Sequence, residues 1–113
     1  MFYKMVGDEV VQIGEEEYAI IFKDVESRRI DKYTTNIYEI PCEVSTVFLM
    51  LNHGGDSSKP ILFETAIIYG ESWNIVRRYK TKKEAIEGHN RIVEMVKSVE
   101  RGEVSFADAI RIL

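Results

Sequence analysis

The chain has 113 residues, 45% of them hydrophobic, and a formal net charge of −4. This size fits a single globular domain over residues 1–113, while the acidic balance argues against generic nucleic-acid binding, which needs a basic surface. The longest apolar run, residues 47–51, is far below the roughly 20 residues of a membrane span, so we expect no membrane association and a cytoplasmic location.

The N-terminal half predicts a hairpin, a helix and two strands. The hairpin turns at Gly7 and Asp8, and a helix over residues 15–25 follows, with three glutamates in its first turn. Residues 28–35 suit an exposed strand, and Asn36 a turn. Pro41 should interrupt pairing or lie at a sheet edge before the strong strand over residues 44–51.

The C-terminal half predicts an antiparallel hairpin, a further strand and two helices. Residues 52–60 form a loop rich in Gly and Ser, which joins strand 44–51 to strand 61–69; a turn over 70–74 and a strand over 75–80 follow. Thr81 and Glu84 form a capping box that starts the best helix, which ends near residues 101–102, and Ser105 caps a short last helix. The apolar stripe of the long helix comprises Ala85, Ile86, His89, Ile92, Val93 and Val96.

This order predicts an α+β fold: an antiparallel sheet of four to five strands, with one long C-terminal helix and a shorter N-terminal helix packed on it. Both central strands are apolar on both of their faces. We therefore expect the second sheet face to be covered by the N-terminal elements or by another subunit, and we expect a homodimer.

The one cysteine, Cys42, lacks a second cysteine for a disulfide within the chain and lacks metal-ligand spacing. We expect a packed or surface thiol, no metal site and no cofactor. A short basic segment near Tyr79 could hold a small anion or phosphate, although a solvated strand end is the plainer interpretation. Its members are Arg77, Arg78, Lys80, Lys82 and Lys83.

A recurring pattern of residues extends over several segments of the chain. Its positions are residues 44–49, His53, residues 63–65, Tyr79, Thr81, Glu84, Ala85, Gly88 and His89. Together these segments resemble a widespread group of small uncharacterised proteins encoded by tailed phages and prophages. Asn52 stands where the group has aspartate, and Lys82 where it has tryptophan. The resemblance implies a phage origin and no established activity.

Polar side chains inside apolar elements mark the candidate site. A buried polar group without a partner costs about 1–3 kcal/mol, so these residues form either a satisfied internal network or a binding site. We predict that Glu64, Tyr79 and His89 converge on one pocket, because a buried carboxylate needs a partner such as His89, Arg78 or Thr46. The candidate ligand-binding residues are Ser45, Thr46, His53, Glu64, Thr65, Arg78, Tyr79 and His89.

Three functions remain open. The preferred one is a phage accessory protein of the infected cell, with action against host defence as one candidate role, whose polar pocket captures a host protein or an anionic, nucleotide-like ligand. The second is a small metal-independent hydrolase or nuclease, with His53 or His89 as general acid or base and Glu64 orienting it. The third is a structural or assembly protein. No nucleophile, metal set or carboxylate pair is evident in the sequence, which leaves the catalytic residues unknown and favours the first function.

Overall fold

A computed structural model of the protein describes residues 1–54, 56 and 58–112. In this part of the chain, six strands form two antiparallel sheets and four helices accompany them, which confirms the α+β class. In chain order the elements are β1 (Phe2–Val6), β2 (Glu9–Ile13), α1 (Glu15–Phe22), α2 (Val25–Arg28), β3 (Arg29–Ile37), β4 (Ile40–Phe48), β5 (Phe63–Tyr69), β6 (Ser72–Tyr79), α3 (Lys82–Glu100) and α4 (Phe106–Ile112).

The N-terminal hairpin of β1 and β2 forms a sheet of its own, so the prediction of a single sheet is wrong. The chain leaves the β4 ladder at Met50, whose φ is +69°. At this bend two backbone contacts join the hairpin to residues 50–51: Tyr3 donates its N–H to the Met50 carbonyl at 2.9 Å, and Phe2 bridges Leu51. The hairpin side chains of Tyr3, Met5 and Ile13 also pack against the buried cluster around Met50. The hairpin therefore packs against one end of the larger sheet without extending it.

The helix expected over residues 15–25 is divided. Helix α1 ends at Phe22, and Asp24 caps the separate short helix α2 by accepting a hydrogen bond from the Ser27 N–H at 3.2 Å. Aspartate is a better N-cap than a helix interior residue, because its carboxylate competes for backbone N–H groups.

The larger sheet has the strand order β3-β4-β5-β6, with every neighbouring pair antiparallel. The predicted pairing of the two central strands is confirmed, with Val44 opposite Ile67 and Val47 opposite Glu64. The expected turns are displaced. Asn36 pairs with Pro41 within the ladder, and the turn before β4 lies at Tyr38 and Glu39, both of which have positive φ.

The second displaced turn connects β5 and β6. It consists of Gly70 and Glu71, so β6 begins at Ser72 rather than at residue 75. A two-residue turn with a glycine of positive φ is a common hairpin connection, and φ at Gly70 is +59°. The polar residues 72 and 74, which favour a loop by composition, belong to a strand at the sheet edge.

Helix α3 covers one face of the larger sheet. Thr81 caps it as predicted, accepting from the Glu84 N–H at 3.1 Å, and Ile92 is buried at 1% exposure. Ile86 is 41% exposed and does not pack on the sheet, because it lies about 100° around the helix from Ala85. The long helix is also not C-terminal, since α4 follows it and packs Phe106 against Tyr69 at 4.5 Å between ring centroids.

The opposite face of the larger sheet, called the open face here, carries residues from β4, β5 and β6. Helix α2 and Arg29 cover one margin of it, so the expectation of N-terminal cover holds only there. No helix in the described part of the chain is long and apolar enough to span a bilayer. The residues of the open face are Glu43, Ser45, Val47, Glu64, Ala66, Ile68, Trp73, Ile75 and Arg78.

Candidate functional site

A continuous chain of hydrogen bonds lies between the sheet and α3. The Thr46 hydroxyl is 2.6 Å from the Thr65 hydroxyl and 2.7 Å from Nδ1 of His89. The Thr65 hydroxyl is in turn 3.1 Å from the Tyr79 hydroxyl. Thr46 and Thr65 are direct register partners on β4 and β5, so both side chains point to the face that α3 covers. We call these four residues the hydroxyl–imidazole network.

Gly88 makes room for this network. A Cβ atom at Gly88 would lie 2.3 Å from the ring and hydroxyl of Tyr79, well inside van der Waals contact. Because Gly88 has no side chain, the Tyr79 ring lies directly under α3, and its hydroxyl is within hydrogen-bond distance of the Thr65 hydroxyl. Several positions matched in the sequence analysis therefore lie together at one place between the sheet and α3. Besides Thr46, they are Thr65, Tyr79, Gly88 and His89.

Asp31 completes the surroundings of His89. Its Oδ2 atom lies 3.7 Å from Nε2 of the imidazole. Burial lowers the pKa of His89, and the charge of Asp31 raises it in part. We infer that the neutral ring carries its proton on Nε2, toward the carboxylate, and that Nδ1 accepts from Thr46. Each hydroxyl then donates to the next group along the network: Tyr79 to Thr65, Thr65 to Thr46, and Thr46 to Nδ1 of the ring.

The inner three residues of the network are closed to solvent, and Tyr79 at its end is partly exposed. Thr46 and Thr65 are 0% exposed and His89 is 2% exposed. A hydroxyl, an imidazole and a carboxylate follow one another as in serine hydrolases, but no substrate carbonyl can approach the Thr46 oxygen in this arrangement. The geometry therefore supports an internal network that fixes α3 on the sheet.

Glu64 lies on the other side of the sheet, and the prediction that it converges with Tyr79 and His89 is wrong. Strand side chains alternate between faces, so the step from Thr65 to Glu64 crosses the sheet. Of the three partners considered for Glu64, Arg78 is the one found, with Nε 3.2 Å from Oε2.

Ser45 reaches the open face for the same reason, one residue from Thr46. Its hydroxyl accepts a hydrogen bond from Nη1 of Arg29 at 3.0 Å. His53 belongs to neither group. It lies in the loop after β4, where its backbone N–H donates to the Ile61 carbonyl at 2.8 Å, and no hydrogen bond among the described residues joins its side chain to the network.

A recess of about 380 Å³ opens on this face, and we call it the open-face recess. Ser45 and Ala66 are register partners, and two small side chains side by side leave a depression in the sheet. Arg29 closes one side, held by Glu26 at 2.9 Å and by Glu43 at 3.4 Å. The remaining lining residues are Val25, Arg28, Val47, Glu64, Ile68 and Trp73.

Asp31, Arg29, Trp73 and Gly88 are among the residues of these two regions that were not selected as site residues from the sequence. Asp31 and Arg29 come to the network and to the recess through the register between β3 and β4, which the sequence does not display. Trp73 was assigned to a turn. Gly88 did carry a signal, since a glycine inside a strongly patterned helix usually has a packing reason.

The described residues contain no group of three or more His, Cys, Asp or Glu side chains that could hold a metal ion. Comparisons of the chain with models of protein families, with curated proteins and with solved structures found no match. The functional assignment therefore rests on geometry and on the chemistry of the residues themselves.

Proposed function

We propose that the protein is a non-catalytic binding module that docks a host protein on its open face. The observation that carries the proposal is the open-face recess, which lies beside Trp73, a tryptophan that is 66% exposed. The resemblance to phage proteins supports a phage-encoded accessory role in the cytoplasm of an infected bacterium, where host proteins, including those of defence systems, are within reach.

The composition of this face favours a protein partner. Ile75, opposite Ala66 on this face, is 49% exposed, and Val25, which lines the recess together with Arg28 and Arg29, is 44% exposed. Tryptophan and arginine are the residues most enriched among those that dominate binding energy, and such residues sit in or beside pockets at the centre of interfaces. An exposed tryptophan beside a recess therefore suits a partner that inserts a side chain.

The charge of the face favours a protein over a small anion. Arg78 is paired with Glu64, and Arg29 is paired with Glu26 and Glu43. An anionic ligand would have to displace these carboxylates from the guanidinium groups and would leave them unpaired. A protein surface can contact the pairs from outside while they stay intact.

The shape of the face favours a different chain over a second copy. A symmetric dimer places the same surface patch of two copies in contact, so a recess on the symmetry axis would face a recess and leave a void. A convex side chain from another protein fills it. The homodimer expected from the sequence remains the other possible occupant, and sedimentation of the purified protein at high micromolar concentration distinguishes the two.

The enclosed hydroxyl–imidazole network leaves His89 inaccessible as a general base for the hydrolase alternative, since both threonine hydroxyls and the imidazole are buried. His53, the other candidate of that alternative, lies in the loop after β4 and apart from Glu64, which was to orient it. Catalysis through His89 would require α3 to lift from the sheet. The proposed binding function needs no such movement.

The test compares partner capture by three folded proteins: wild type, Trp73→Ala and Ile20→Ala. Ile20 is 74% exposed on α1 and lies outside the open-face recess, which makes it the matched control. Each tagged protein is mixed with bacterial extract, and retained proteins are quantified by mass spectrometry. We expect one protein to be retained by wild type and Ile20→Ala and lost with Trp73→Ala. Equal retention by all three, or none by wild type, contradicts the proposal.

A further inference from the structure

A second concave region lies between the N-terminal hairpin, residues 58–60 and the start of α3. We call it the N-terminal groove. Its volume is about 650 Å³, within the roughly 300–1,000 Å³ of small-molecule sites. It shares no lining residue with the open-face recess. Its lining residues are Tyr3, Val10, Ser58, Lys59, Pro60, Leu62, Lys80, Thr81 and Glu84.

One wall of the groove is apolar and well anchored. Leu62 is 2% exposed, and its N–H donates to the Tyr79 carbonyl at 3.1 Å. Tyr3 is fixed across from it by the hydrogen bond of its N–H to Met50. Together with Val10 and Pro60 these side chains offer a surface on which a flat, apolar group can lie.

The other part of the groove carries two ammonium groups, Lys59 and Lys80. Neither forms an ion pair with a residue in the described ranges, in contrast to Lys4 and Lys82 nearby, which pair with Glu17 and Asp8. The groove is therefore a place where an acidic protein presents cations without carboxylates bound to them.

The acids near these lysines are already engaged. Oδ1 of Asp56 accepts from the backbone N–H groups of Ser58 and Lys59, both at 2.9 Å, and also from the Ser58 hydroxyl. Glu84 accepts from the Thr81 hydroxyl at 2.9 Å within the capping box. The charge of Lys80 also contributes to lowering the pKa of Asp56, so these two groups interact at a distance without an ion pair. An incoming anion would thus meet the two ammonium groups without displacing a carboxylate bound to either of them.

We propose that the N-terminal groove binds a small organic phosphate whose flat apolar body lies against Tyr3 and Pro60 and whose phosphate lies between Lys59 and Lys80. Two cations suit a doubly charged phosphate, and the apolar wall gives preference to an organic phosphate over the free ion. This binding is independent of the proposed docking of a protein on the open face.

The test uses adenosine 5′-monophosphate, adenosine and inorganic phosphate as probes, with amide chemical shifts of the labelled protein as the readout. We expect saturable shifts with the nucleotide, centred on residues 58–62 and 80–84. Lys59→Gln or Lys80→Gln should weaken its binding by at least about tenfold, because each removes a charged hydrogen bond. The control Lys32→Gln, on the exposed side of β3, should bind like wild type.

Adenosine should bind more weakly than the nucleotide because it lacks the charge, and inorganic phosphate because it lacks the apolar body. The proposal is overturned by the absence of saturable shifts with the nucleotide, by equal loss in Lys32→Gln, or by phosphate alone binding as tightly as the nucleotide. Thermal unfolding of each variant establishes that a loss of binding is not a loss of fold. None of these outcomes depends on whether Trp73→Ala loses its protein partner.

Discussion

His89 is a buried residue whose protonation is altered by the fold. Its ring is 2% exposed, its Nδ1 atom contacts the Thr46 hydroxyl, and burial lowers its pKa below the ordinary value of 6.5. A histidine buried in the neutral form binds fewer protons in the folded than in the unfolded state at mildly acidic pH. The contribution of His89 to folding stability therefore falls as the pH falls through its unfolded pKa of about 6.5, and its effect on the slope fades within about one pH unit above that value.

We predict that the free energy of unfolding decreases between about pH 7 and about pH 5 more steeply in wild type than in His89→Gln. Glutamine can still bond to Thr46 but does not titrate, so the variant removes only the proton-linked part. Chemical denaturation at a series of pH values measures both slopes. Identical slopes would show that His89 is not held neutral by the fold.

Gly88 sets the distance between α3 and Tyr79. We predict that Gly88→Ala destabilises the protein by about 1–3 kcal/mol, the range for overpacking a close contact, although alanine is the better helix former. In a Tyr79→Ala background the same change should cost much less, because the ring it strikes is gone. Equal or greater stability of Gly88→Ala in the wild-type background contradicts the packing described here.

Cys42 is a packed thiol on β4. Burial raises its pKa to about 11, so the thiol stays protonated and unreactive near neutral pH. We predict that a thiol-specific reagent modifies Cys42 slowly in the native protein and rapidly in denaturant. Rapid modification of the native protein would place the thiol at the surface.

At the scale of the elements, the alternation of β4 divides neighbouring residues between two environments. Thr46 faces α3 with no exposed surface, and Ser45 faces the open-face recess. We predict that Thr46→Val costs about 1–3 kcal/mol, since it leaves polar groups of Thr65 and His89 without their partner. Ser45→Ala should cost less, because Arg29 keeps its glutamates. Denaturant titrations measure the free energy of unfolding of both variants. A larger decrease for Ser45→Ala than for Thr46→Val would contradict the assignment of Thr46 to the covered face and Ser45 to the open face.

The same alternation explains what the sequence could and could not predict. The capping box at Thr81, the buried Ile92 and the pairing of the central strands follow from local patterns, and the structure confirms them. The face on which Glu64 lies could not be predicted from the sequence. Apolar residues occupy both alternating sets of positions in β5, so the alternation does not indicate which set faces α3. Neither Arg29 nor Asp31 was predicted as a site residue, because the place of each depends on the register between β3 and β4.

Turns and breaks were the other source of error, for a related reason. The helix over residues 15–25 divides at Asp24, and the turn expected over 70–74 contracts to two residues. Both outcomes depend on one or two residues that are compatible with more than one local structure. Long patterned segments such as α3 average over many residues and are less sensitive to such choices.

At the scale of the whole molecule, the two sides of the larger sheet have different roles. On one side α3 seals the hydroxyl–imidazole network, and on the other the open face retains exposed apolar groups and paired charges. The residues of the network stabilise the packing of α3 on the sheet, and we propose that residues of the open face, such as Trp73, make the contacts with the partner.

The most direct test of this account compares Trp73→Ala with His89→Gln in the capture of a host protein, with folding of both verified by circular dichroism. We predict that Trp73→Ala loses the partner that wild type retains, while His89→Gln keeps it, because the network supports the fold and does not touch the partner. The account would be contradicted if a folded His89→Gln variant lost the partner while Trp73→Ala retained it. That result would indicate that the partner binds at His89 and not at the open face.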